Sequence, residues 1–385
     1  FLKGGRLQAA STFVEIVIAV LLMMAFVATR NLSNPLPRNM VSIVILVAYI
    51  VGVFYVYVNA GLVLSISYLL IASILSILFI NARFYLTEMG QKAQIRDAFG
   101  QYLSPDVVAD LVKDPEKLSL GGEEREMTAF FSDIAGFSTF SENMTPSELV
   151  YVLNDYLTEM CNIIFNSRGT VDKFEGDAII AFWGAPAIQE DHAKLACYAT
   201  IDMNHALVPL RERWAKEGRP AIKVRMGLNS GTMVVGNMGS AQRMDYTMMG
   251  DSVNLAARLE GANKAYGSDL MISEATYKLV KDDVDVRELD VLRVVGKSEP
   301  VRVYQLLDRK DQTAGLISDL VIQFDRGMKL YRDGNYKDAL AAFRLALAIA
   351  PQDGPSETYI ARCGQYIVTP PPANWDGVFN LDSKG

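Results

Sequence analysis

Hydrophobic and polar positions alternate in different ways along the chain. Residues 13–28, 39–58 and 62–80 are almost continuously apolar. A run of about 20 apolar residues crosses the roughly 30 Å hydrocarbon core of a bilayer as a helix. The pattern predicts a membrane domain over residues 1–83 with three transmembrane helices, the first of them the shortest. Arg30 and Arg38 bracket the first loop, the Asn59-Ala60-Gly61 loop carries no charge, and Arg83, Lys92 and Arg96 follow the third run. The positive-inside bias then places the Arg30/Arg38 loop and everything beyond Arg83 in the cytoplasm. Tyr55 and Tyr57 fall at the outer interface, Phe84 and Tyr85 at the inner one. Lys3 and Arg6 oppose this orientation. Glu15 reads either as an interfacial residue at a helix end or as part of an ion path.

Residues 84–123 read as a helical connector. Ala93, Ile95, Phe99, Tyr102 and Leu103 recur at helical spacing without clean heptads, and Ser104-Pro105-Asp106 reads as a fresh helix start. A packed linker and a paired, signal-transmitting helix both fit.

Residues 124–308 alternate between strand and helix patterns, the mark of an α+β domain. Apolar 127–131 is a buried strand. Thr145-Pro146-Ser147-Glu148 is a capping box that opens a helix to about residue 167. Residues 169–174 and 178–183 form a hairpin, 191–217 a long helix, and 221–229 with 232–236 a second hairpin. The glycines 227, 231, 236 and 239 are read there as turn formers. A helix over 251–266 and strands at 270–272, 284–289, 291–295 and 301–306 complete the pattern.

Composition sharpens this picture. Half of the 385 residues are hydrophobic and mean hydropathy is +0.16, as expected with a membrane segment. The net charge of −7 argues against a general nucleic-acid binder, so no nucleic-acid partner is expected. Cys161, Cys197, Cys363, His192 and His205 are too scattered for a zinc site and read as structural, in a reducing compartment. The chain opens on Phe1, so a longer protein with an upstream export segment and extracytoplasmic domain is expected.

Candidate chemistry lies in three stretches. Phe130-Phe131-Ser132-Asp133-Ile134-Ala135-Gly136-Phe137-Ser138 ends an apolar run on a carboxylate, then turns on small residues whose N–H groups suit phosphate. Asp172-Lys173-Phe174-Glu175-Gly176-Asp177 repeats that grammar. Two such carboxylates suit divalent cations that share substrate phosphates. In the 245–260 stretch, Asn254 and Arg258 stand four apart on one helix face. An amide beside a guanidinium fork can hold a ribose and a phosphoryl group.

From about Glu124 to Leu307 these motifs, in this order, resemble the catalytic domain of the class III nucleotide cyclases. The resemblance implies a ferredoxin-like core and a head-to-tail homodimer with shared active sites. It implies attack of the ATP 3′-oxygen on the α-phosphorus, with pyrophosphate leaving. It implies two Mg²⁺ or Mn²⁺ per site on Asp133 and Asp177, with the Ile134 carbonyl as a further contact. Gly136 and Phe137 then lie in the phosphate turn, Asn254 orients the ribose, Arg258 stabilises charge on phosphorus, and Arg225 and Lys297 meet the terminal phosphates. Lys173 and Thr247 occupy the purine-reading positions. A lysine donates to adenine N1 but opposes the N1–H of guanine, which favours ATP over GTP. Thr247 matches a bacterial subgroup that includes bicarbonate-responsive enzymes. A guanylate cyclase and a catalytically silent membrane scaffold are the other readings.

Three spans before a cyclase resemble bacterial receptor cyclases of the inner membrane whose CHASE2 sensor lies upstream. Residues 309–368 read as a short α-helical unit that resembles one tetratricopeptide repeat through Gly327, Ala339, Phe343, Ala346 and Pro351. One repeat cannot bury its own face, so it is expected to pack on the cyclase or on its dimer mate. Residues 369–385, with Pro370-Pro371-Pro372, read as an extended tail anchored by Trp375 and Phe379.

Overall fold

The computed structural model describes residues 8–29, 35–64, 66–99, 108, 121–240, 243–293, 299–313, 315–372 and 375–380. They fall into two compact units, Phe1–Asp97 and Ala98–Gly385.

The first unit holds α1 (Thr12–Ala28), α2 (Pro35–Ala60) and α3 (Ile66–Phe99). A short parallel pair, β1 (Gln8–Ala9) and β2 (Leu62–Val63), ties its ends. Leu36–Ala60 and Leu70–Thr87 are long and apolar enough to cross a membrane. This corrects the expectation of three spans. With 17 residues, α1 measures about 26 Å, short of a ~30 Å core. The third run also begins as strand, so its helical window shifts toward the C-terminus. Arg38 lies in the first turn of α2, three residues after its start at Pro35. It is buried, donates to Asn81 Oδ1 at 2.8 Å and covers the Phe84 ring at 4.5 Å. Arg30, the other residue of that argument, lies outside the described residues.

In the second unit, β3 (Gly121–Ile134), β4 (Thr170–Glu175), β5 (Ala178–Trp183), β6 (Val224–Ser240), β7 (Arg243–Met249), β8 (Leu270–Ser273), β9 (Val284–Arg293), β10 (Val301–Arg309) and β11 (Phe379–Asn380) form one sheet. The order is β11-β9-β10-β8-β6-β3-β5-β4, with β7 paired to the far half of β6. Strand alternation sends Phe130 to one face and Met127 and Ala129 to the other. On the Phe130 face pack α5 (Pro146–Asn166) and α6 (His192–Lys216), through Tyr156, Met160, Ala196 and Cys197. A short α4 (Phe137–Glu142) precedes them. On the opposite face lies α7 (Asp251–Tyr266), and α8 (Glu274–Val280) follows β8. The capping box forms as read: the Thr145 backbone N–H donates to Glu148, and the Glu148 N–H donates to Thr145 Oγ1.

The second expected hairpin does not form. Strand β6 runs unbroken for 17 residues and pairs with β3 along Gly121–Ile134. Its hairpin partner is β7, further on. The glycines permit close approach instead of turning. A Cβ on Gly227 would stand 2.2 Å from the Glu260 nitrogen, and one on Gly236 2.0 Å from the Gly121 oxygen. Likewise, residues 284–293 are one strand where two were expected. Because α7 backbone blocks the space above residue 227, Gly227→Ala is expected to cost about 3 kcal/mol of unfolding free energy. Urea denaturation of the detergent-solubilised chain reads this directly, and an unchanged midpoint would contradict it.

Three helices end the chain: α9 (Gly315–Arg332), α10 (Tyr336–Ile349) and α11 (Gly354–Val368). They pack on the sheet domain of the same chain. Leu320, Phe324, Phe343 and Tyr359 share a core with Leu259, Tyr266 and Leu292. Buried pairs fix the junction: Arg287 to Asp353 at 2.8 Å and Arg362 to Asp290 at 2.7 Å. Beyond them, Trp375 packs on Tyr366 and β11 adds to β9.

Candidate active site

Asp133 lies near the end of β3 and Asp177 in the turn between β4 and β5. The turn is tight because Gly176 adopts φ +68°, a conformation that costs other residues strain. Antiparallel pairing of β3 with β5 then brings the two carboxylates together. Asp177 Oδ2 accepts the Ile134 N–H at 3.0 Å. Burial raises the Asp177 carboxyl above its usual range, and the neighbouring Asp133 charge raises it further, against the Ile134 N–H. Two acids in contact resist joint ionisation.

Arg225 faces Asp133 across the β3–β6 ladder. Its Nη2 donates to Asp133 Oδ2 at 2.5 Å, and its Nε lies 3.0 Å from Glu260 Oε1. The guanidinium expected at terminal phosphates thus hydrogen-bonds Asp133 and lies beside the Glu260 carboxylate. Glu260 was not singled out from the sequence, because its partner sits on another element. Burial pushes its carboxyl up to about 7, aided by Asp133 and Asp177 and offset by Arg225. The folded chain thus keeps a proton that the unfolded chain loses near 4.5. The Glu260 contribution to stability is present below about 4.5 and is lost as pH rises through about 7. In cation-free protein, Glu260→Gln is expected to lose less stability than wild type between pH 5 and 8. Parallel denaturation curves at the two pH values would contradict this.

A second cluster holds the purine positions. Lys173 on β4 is 40% exposed, and its ammonium lies 3.5 Å from Asp172 Oδ1. Thr247 on β7 is buried and its hydroxyl donates to Asp172 Oδ2 at 2.6 Å. Burial raises the Asp172 carboxyl, while Thr247, Lys173 and the Met248 N–H hold it down. Asp172 too was missed from the sequence.

Asn254 and Arg258 project from the side of α7 away from its buried Val253, Leu255, Ala256 and Leu259. Asn254 is exposed and Arg258 half-buried. Among the described residues, neither side chain bonds to Asp133, Asp177 or any other group. Gly136 turns at φ +72° with open space above it, and the half-buried Phe137 packs against the core. Lys297 lies outside the described residues. His192 bonds Thr128 at 2.8 Å within the core, a structural setting.

Do these residues fit divalent cations? Among the described residues no cluster of three or more His, Cys, Asp or Glu occurs. The neighbouring carboxylates, with Asp177 raised first by burial and then by the Asp133 charge, are nonetheless a donor pair that a cation relieves. Mg²⁺ is commonly held by one or two carboxylates plus substrate phosphates, so the pair fits.

Residues 122–308 match the family described as the adenylate and guanylate cyclase catalytic domain. Adenylate cyclase 1 of Rhizobium meliloti is 34% identical over 224 residues, which cover 57% of this chain and 33% of that protein. The adenylate cyclase of Anabaena cylindrica is 35% identical over 199 residues, covering 50% of this chain and 39% of that protein. The crystal structure of the adenylyl cyclase CyaB from P. aeruginosa is 39% identical and covers 51% of this chain and all of that one, with a TM-score of 0.47. The chain spans little more than a third of the length of these curated relatives. Through residues 122–308, the chain belongs to the adenylate and guanylate cyclase catalytic-domain family.

Proposed function

We propose that this chain is a membrane-anchored adenylate cyclase that forms 3′,5′-cyclic AMP and pyrophosphate from ATP at sites shared between two copies. The observation that carries the reading is the contact between Asp133 and Asp177, joined through Ile134, beside a separate Lys173–Thr247 cluster.

Asp133 and Asp177 would hold two Mg²⁺ or Mn²⁺, with the Ile134 carbonyl as a further contact. Bound there, the cations supply Lewis-acid activation of the 3′-hydroxyl and charge neutralisation on the triphosphate. Lys173 donates to adenine N1, and Thr247 Oγ1 accepts from the adenine amino group. Asn254 orients the ribose so that its 3′-oxygen lies in line with the α-phosphorus. A bond forms between those atoms as the bridging bond to pyrophosphate breaks, and the 3′-hydroxyl proton leaves to water. Arg258 donates to the α-phosphoryl oxygens as their charge grows, and preorganised donors of this kind are usually the largest contribution to rate. The N–H groups at Gly136 and Phe137, with Lys297, meet the outer phosphates. Arg225 fixes the Asp133 carboxylate.

Anchoring is supported by the two long apolar helices. Helix α3 continues from its apolar window to Phe99 without a break. The family embraces both purines, so base choice rests on Lys173, which opposes guanine N1–H. Purified chain incubated with Mg-ATP, Mn-ATP and Mn-GTP is expected to yield cyclic AMP, with little cyclic GMP. Dominant cyclic GMP, or no cyclic product, would overturn the proposal.

A further inference from the structure

We propose that Asp172 is a positioning residue that sets the purine preference of the site by fixing the direction of the Thr247 hydroxyl. The inference rests on the reading of Lys173 and Thr247 as purine contacts and deepens it.

The backbone supplies the first observation. Pairing of β4 with β5 slips between Val171 and Lys173: Val171 opposes Ala181 and Lys173 opposes Ile180. Asp172 is therefore the extra residue of a β-bulge. Bulges re-aim a side chain that plain alternation would send elsewhere. Here the carboxylate reaches β7, a strand that does not pair with β4 in the sheet.

The second observation is the donor set. The Asp172 side chain is only 2% exposed. It accepts the Thr247 hydroxyl at 2.6 Å, and the Lys173 ammonium lies 3.5 Å from its other oxygen. An ionised carboxylate can only accept, and a hydroxyl has a single proton. With that proton committed to Asp172, Thr247 Oγ1 presents only lone pairs to a base. It can accept from the 6-amino group of adenine. Against the O6 of guanine it sets acceptor on acceptor. The same carboxylate lies 3.5 Å from the Lys173 ammonium, so one buried group stands beside both an acceptor and a donor for adenine. A site built around a particular hydrogen-bond pattern rejects the wrong partner by leaving its own polar groups unmatched.

A purely structural tie between β4 and β7 predicts equal effects on both nucleotides. Asp172→Ala frees the hydroxyl to rotate, and is expected to lower the ratio of kcat/KM for ATP to that for GTP about tenfold. In a Thr247→Val background, which has no hydroxyl to orient, the same replacement should change the ratio no further. Asp172→Leu roughly keeps the volume and accepts no hydrogen bond; if the alanine variant fails to fold, it serves with the same readout and the same expected direction. An unchanged ratio in a folded, active variant would overturn the inference, as would an equal change in the Thr247→Val background. Wild-type chain that makes no cyclic AMP would instead overturn the parent reading, and this inference with it.

Discussion

Asp177→Asn is expected to lower cyclic AMP formation by about 10³-fold while leaving the domain folded. The carboxamide keeps the size of the side chain, and its oxygen can still accept the Ile134 N–H that Asp177 takes at 3.0 Å. What disappears is one of two negative charges. In the cation-free protein that charge is a liability, since burial and Asp133 both raise the Asp177 carboxyl. The melting temperature at neutral pH should therefore equal or exceed that of wild type. Added Mn²⁺ should raise the wild-type melting temperature and leave the variant's almost unmoved, because binding to the folded state is what stabilises it. Together these results separate a lost cation site from a lost fold. A variant with near wild-type activity would remove Asp177 from the chemistry.

Local signals in the sequence translated well into structure. The Thr145–Glu148 box fixed a helix start, Gly176 marked the turn that carries Asp177, and the Asn254/Arg258 helix spans Asp251–Tyr266 as its pattern implied. The misses have physical causes. A glycine that turns the chain and one that lets backbones touch look the same in a string, so residues 221–236 suggested a hairpin where one strand runs through. Hydrophobicity measures apolar length but not where a helix begins, and the first unit consequently has two long apolar helices where three runs were counted. Asp172 and Glu260 gained their settings from a bulge and from partners on other strands. No spacing rule encodes such contacts. The helical end of the chain carried a repeat-like pattern, and Arg287 and Arg362 bind it to the sheet of the same chain.

The proposed sharing of the site between two copies predicts the other large effect. Within one chain, Asn254 and Arg258 lie on the outer side of α7, without a bond to the Asp133–Asp177 pair. A second copy can bring its own ridge over those carboxylates, as head-to-tail pairing of like surfaces allows. Asp133→Ala should then disable the cation half of a site, and Arg258→Ala the phosphoryl half, each lowering activity about 10²- to 10³-fold. Co-expressed, the two variants can pair so that one site of the mixed dimer holds both defects and the other holds none. Random pairing makes half the dimers mixed, and purification through two tags keeps only those, so activity should return to roughly half of wild type. The deciding measurement is cyclic AMP formation by the co-expressed Asp133→Ala and Arg258→Ala chains, purified through two different tags. Recovery well above either variant by itself is the predicted result; activity no higher than the single variants, in a dimer shown to contain both, would contradict the account.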